Sequence, residues 1–182
     1  MRKQIAALVI AGTAVTGLAV APSASAQVTN TSFELTGGSL SVSVPASATL
    51  SSAATAVGTT SLTGSLGEVD ITDARGALVA NWTASVDGSD FTTGTGEVEA
   101  AELIPDDNVS YWSGVASSTG AGTAAGAQPL AANAQHLGQQ RTAATGVFVG
   151  NNTASWTPTL IVSVPAGNVA GEYTGTITHS VA

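Results

Sequence analysis

The 182-residue chain contains no cysteine, only two histidines, and four basic residues against twelve acids. Without cysteine there is no disulfide framework and no thiolate to act as nucleophile or metal ligand, so packing and hydrogen bonds must hold the fold. Beyond Arg2 and Lys3 the only cations are Arg75 and Arg141, and no further lysine occurs. So little positive charge excludes the basic footprint that nucleic acid or an anionic membrane surface requires. His136 and His179 are isolated, and no serine lies in a Gly-x-Ser-x-Gly setting. This leaves no nucleophile and base to pair, so the chain reads as a non-enzyme with no cofactor and no metal.

What is present begins with an address. Arg2-Lys3 precede an uncharged apolar run from Ile5 to Val20, and Ala24-Ser25-Ala26 supplies small residues before Gln27. That order is a secretory signal peptide, with residues 1–26 removed on export. An anchoring helix is the competing reading, but Gly12, Thr13, Thr16 and Gly17 interrupt the run and charged stop-transfer flanks are missing. Residues 27–182 are expected to form one domain, secreted and extracellular or wall-associated, with no membrane contact after cleavage. Its two arginines against twelve acids give a net charge of −10. No sorting motif or second domain is expected after the final strand.

Ser, Thr, Val, Ala and Gly dominate the remainder, and apolar residues alternate with polar ones, which is the period of half-buried strands. Leu40, Val42 and Val44 alternate with serines; Val69 and Ile71 with Glu68, Asp70 and Thr72; Ala80, Trp82, Ala84 and Val86 with polar partners; and Val109, Tyr111 and Val115 with Ser110, Trp112 and Gly114. Residues 143–149, 154–164 and 173–181 continue the pattern. About eight strands separated by Gly, Asp, Asn and Pro turns predict an all-β fold, an immunoglobulin-like antiparallel β-sandwich. Gly171-Glu172-Tyr173 resembles a tyrosine corner, in which the phenol bonds back to nearby backbone.

Residues 117–141, rich in Gly, Ala and Gln, show no strand alternation and read as one long loop with a short helix around residues 130–138. Asp87-Gly88-Ser89-Asp90 and Asp106-Asp107-Asn108 are oxygen-rich turns without the spacing of a dedicated calcium loop, so turn chemistry is the favoured reading.

Three stretches together are similar to the WxL-domain family of Gram-positive surface proteins, in a divergent actinobacterial form. They are Leu66-Gly67-Glu68-Val69-Asp70-Ile71-Thr72-Asp73-Ala74-Arg75-Gly76-Ala77 leading to Trp82, then Ser89-Asp90-Phe91, then Pro165-Ala166-Gly167 through Tyr173-Thr174-Gly175-Thr176-Ile177-Thr178. The resemblance implies a secreted cell-surface domain associating non-covalently with the cell wall, its partner being peptidoglycan or a surface protein. The first family motif reads Trp82-Thr83-Ala84, with Ala where the family has Leu. A degenerate second motif falls at His179-Ser180-Val181, with His179 for Trp and Val181 for Leu. A self-associating subunit of a surface layer or fibre is the alternative.

The candidate ligand-binding residues are Trp112, Trp82 and Trp156. Alternation places Trp82 beside Ala80, Ala84 and Val86, and Trp156 beside Ala154, Leu160 and Val162, which favours core packing for both. Trp112 falls on the opposite face from Val109 and Tyr111 and is the aromatic expected at the surface, where an indole offers a broad stacking plane. His179 shares the apolar side of the last strand with Tyr173, Ile177 and Val181, the position of a satisfied core histidine.

Overall fold

A computed structural model describes residues 29–50, 60–94 and 99–182. The expected signal peptide and its expected cleavage point before Gln27 lie outside the described residues. The chain divides into two units, Met1–Glu34 and Leu35–Ala182. Of the first, residues 29–34 are described; they form no strand and are exposed.

The second unit is all-β. Among the described residues its strands are β1 (Leu40–Ser43), β2 (Ser61–Ser65), β3 (Val69–Asp73), β4 (Trp82–Gly88), β5 (Phe91–Thr92), β6 (Leu103–Ile104), β7 (Val109–Trp112), β8 (Ser117–Gly126), β9 (Gln135–His136), β10 (Arg141–Trp156), β11 (Thr159–Ser163) and β12 (Ile177–Val181). All pair antiparallel. Twelve strands, several of only two residues, replace the eight expected, because two-residue strands are too short to show alternation.

The first sheet is organised by β10. Along one edge lie β4, opposite residues 141–146, and β3, opposite residues 152–156. Along the other edge lies β8. Outside β3 and β4 come β1 and β12. The second sheet runs β2, β11, β7, β9, and β5 and β6 form a separate pair. Between the two larger sheets sits the core, with Val69, Ile71, Trp82, Val86, Phe148 and Trp156 from the first facing Val109, Tyr111, Leu160 and Val162 from the second. Burying such side chains at roughly 1.5–3 kcal/mol each is what drives the two faces together.

The structure departs from three sequence expectations. Residues 154–164 are not one strand: β10 ends at Trp156, buried Pro158 intervenes, and β11 continues in the other sheet. Proline lacks the N–H that would carry the ladder onward, so the chain crosses between sheets there, with Trp156 and Leu160 reaching the same core from opposite sides. Nor are residues 117–141 a long loop. Ser117–Gly126 is a ten-residue strand paired with β10, followed by a 3-10 turn at Ala131–Asn133 and the short β9, where a helix was expected. The segment after β8 is tied down by the buried Gln128, whose Nε2 donates to the Thr142 carbonyl at 2.9 Å, and by fully buried Leu137, whose N–H donates to the Val109 carbonyl. Val115, expected beside Val109 and Tyr111, lies past the end of β7 and is exposed, while Ser113 is buried.

Tyr173 precedes β12 rather than beginning it. Its hydroxyl lies 2.9 Å from the Val169 carbonyl and 3.1 Å from that of Ala101, and accepts from Asn168 Nδ2 at 3.2 Å. The phenol therefore bonds back to backbone four residues upstream, as the tyrosine-corner reading anticipated.

Candidate functional site

The stretch from Leu66 to Trp82 contributes to a polar network at the edge of the core. Arg75 grips the side chain of buried Asp73 with two bonds, Nε to Oδ1 at 2.9 Å and NH2 to Oδ2 at 2.8 Å. Asn152, buried on β10, donates to Asp73 Oδ2 at 3.3 Å and accepts from Trp82 Nε1 at 3.0 Å. Trp82 stacks on Phe148 at 6.3 Å between ring centroids. Each buried polar group thus satisfies another, and the spacing Asp73, Arg75, Trp82 serves architecture. The Arg75 hydrogen bonds hold the Asp73 carboxyl below its ordinary value. Asp73→Ala is expected to cost about 1–2 kcal/mol by removing these charge-assisted bonds, read as a lower urea midpoint at pH 7. Its loss should weaken in acid, because a carboxylate with a depressed pKa stabilises above its unfolded pKa and ceases to do so as pH falls through the folded one.

Trp156 is equally internal. Its Nε1 donates to Tyr111 Oη at 2.9 Å, and that oxygen lies 3.2 Å from His179 Nε2. The imidazole packs tilted against both rings, at 5.7 Å from Tyr111 and 6.4 Å from Trp156. Burial lowers the His179 pKa to about 4 and raises that of Tyr111. The hydrogen-bond pattern agrees: with Trp156 donating to its oxygen, the Tyr111 hydroxyl has its proton free to donate to a neutral His179 Nε2. Val181 lies further along the same side of β12, packed against the core. His179 and Val181, expected as a degenerate second motif, therefore contribute a packed, neutral histidine and an apolar neighbour.

His179 also floors a half-open cleft of about 210 Å³, walled by Val44, Pro45, Leu50, Leu66, Phe91 and Ile177. This is below the roughly 300 Å³ at which small-molecule pockets usually begin, and its lining is largely apolar. It has room for a side chain or a single small group.

Trp112 is neither exposed nor core. It is half-buried on the outer face of the second sheet, and its Nε1 is buried with no hydrogen-bond partner, so the part of the indole that reaches solvent is carbon. Thr159 lies opposite it on β11, with Ser65 beyond on β2; the next row holds His136, Ser110, Ile161 and Thr63. The face is uncharged and rich in hydroxyls around one indole. Alternation put Trp112 on the correct side, but could not show that one edge of its ring is covered.

Ser110 Oγ and His136 Nδ1 meet at 3.2 Å on this face. Neither histidine hydrogen-bonds a carboxylate among the described residues, and the pair lies on an exposed sheet surface, so the contact lacks the orienting acid of a catalytic triad. The two acidic turns are joined, Asp106 N–H donating to Asp90 Oδ1 at 2.9 Å. No group of three metal-ligating side chains is gathered among the described residues.

Comparison with protein-family models, with curated proteins and with solved structures finds no match.

Proposed function

We propose that this protein is an exported, non-enzymatic domain retained at the bacterial cell wall by non-covalent contact with peptidoglycan or a surface partner protein. The observation that carries this reading is the outer face of β2, β11 and β7. Its hydroxyls can exchange hydrogen bonds with a glycan, and the carbon edge of Trp112 offers apolar contact to a sugar ring. The resemblance to WxL domains and the export signal support the same assignment. Trp82 and Trp156, buried and hydrogen-bonded within the fold, have no part in the contact.

Retention by this face requires no basic patch. Arg75 is engaged by Asp73, and Arg141 donates to the His136 carbonyl. At net −10 the secreted domain is repelled by anionic wall polymers, so raising salt should leave retention unchanged or strengthen it. In a pull-down with purified sacculi across a sodium chloride series, Trp112→Ala is expected to reduce retention about tenfold, the loss of roughly 1.4 kcal/mol of contact. Retention that is insensitive to Trp112, or that falls steeply with salt, rejects the reading.

A further inference from the structure

The connection from β3 to β4 departs from the usual chemistry of a surface bend. Such bends are normally built from Gly, Asn, Asp or Ser, whereas this one carries Leu78 and Val79, which are 82% and 70% exposed. It is fastened to β10 on both sides: Gly150 N–H donates to the Ala77 carbonyl at 2.8 Å, and Ala80 N–H to that of Phe148 at 2.9 Å. Two large apolar side chains are thus held out in water by a segment pinned at each end.

The strand to which the bend is fastened continues the apolar surface. Along the outward face of β10, between Thr145 and Asn151, lie Val147 and Val149, 62% and 53% exposed. Ala80 is buried, so alternation turns Val79 to the outward side, with Val149. The four side chains together expose roughly 400 Å², within the range where the largest apolar patch of a monomer is often functional. No charge interrupts it, since residues 76–85 and 142–156 contain none. Asp70, opposite Ser155, and Asp87, just past the pairing of Val86 with Arg141, lie toward the two ends of β10.

We propose that this patch is the interface of a two-fold dimer, in which the Leu78–Val79 bend of each copy covers Val147 and Val149 of the other. The patch holds both halves of such a contact, a fixed projection and a flat strip beside it, and a two-fold rotation brings them together twice. Because the bend is already pinned in place, little freedom is lost on association. Charge selects the same location: two copies of a strongly acidic chain repel over most of their surfaces and can approach where they meet through uncharged residues. Two such faces with their rims bury about 1,200 Å², the low end for specific interfaces, so the dimer forms with a dissociation constant on the order of micromolar. The outer faces of the two second sheets then point away from each other, and the dimer presents the Trp112 face twice.

The secreted protein, its N-terminus verified by intact mass, is followed by analytical ultracentrifugation over a concentration series. The parent should pass from monomer to dimer and no further. Leu78→Asp and, separately, Val147→Thr/Val149→Thr should each weaken association by about tenfold or more with an unchanged melting temperature, the threonines keeping the β-branched shape that suits a strand. Thr63→Asp adds the same charge as Leu78→Asp, but on the outer face of the second sheet, and should leave association unchanged. Because the chain has no cysteine, copies carrying Leu78→Cys can be mixed with copies carrying Val147→Cys, and oxidation should trap mixed dimers. A parent that stays monomeric, growth beyond the dimer, association indifferent to Leu78 or to the two valines, equal weakening by Thr63→Asp, or no mixed disulfide would each overturn the proposal. None of these variants alters Trp112, so wall retention and dimerisation stand or fall separately.

Discussion

Trp156→Ala is expected to destabilise the domain by about 3–5 kcal/mol, the range for truncating a large buried aromatic. For a domain of this size that is a drop of roughly 10–15 °C in melting temperature. The ring is 2% exposed and closes the core where the chain crosses from β10 to β11. Its removal opens a cavity and also withdraws the donor from Tyr111 Oη. Trp156→Phe separates the two effects: it keeps most of the packing and should cost only about 1–2 kcal/mol, chiefly for the lost hydrogen bond. Paired urea titrations of the two variants test this: a Trp156→Phe protein as stable as the parent would mean that the Trp156 to Tyr111 bond contributes nothing, and equal losses would mean that packing of the ring does not.

Acidification should destabilise the fold before the carboxylates begin to titrate. His179 takes up its proton at about pH 4 in the folded protein, against 6.5 when unperturbed. Above pH 6.5 it is neutral in both states and the fold has its full stability. Between 6.5 and 4 the unfolded chain binds the proton and the folded chain does not, so stability falls as pH is lowered. The loss amounts to up to about 3 kcal/mol, and solvent reaching the partly exposed ring reduces it. Urea midpoints at pH 7.5, 6.5, 5.5 and 4.5 should decline in that window, and His179→Gln should flatten the decline. A profile with the same slope in both proteins would remove His179 as its cause.

Where alternation was strong, the elements could be read directly. Val69 and Ile71 became β3, Ala84 and Val86 became part of β4, and in each case the apolar residues face the core. Trp82 and Trp156 were assigned to the interior on the same grounds and lie there. Their partners could not be read. Asn152 meets Trp82 across 70 positions of sequence, and Tyr111 meets His179 across 68. Asparagine in a Gly-Asn-Asn run looks like a turn residue until the register of β10 against β3 places it opposite Asp73. Trp112 marks the limit of alternation, which reports the side of a strand but not what covers it.

By itself the sequence determined the all-β class, the sidedness of the strongly alternating strands and the expectation of export, because these depend on residue type and local period. Only the tertiary structure decided that Ser117–Gly126 is a strand, since small residues with no alternation acquire that form by pairing with β10 and burying almost nothing of their own. It alone also decided where one sheet ends and the other begins at Pro158, and which polar groups meet inside. Pairing register and the choice of buried partner are relations between distant segments, set by mutual packing and hydrogen bonding, and no short window of sequence contains both members of the pair.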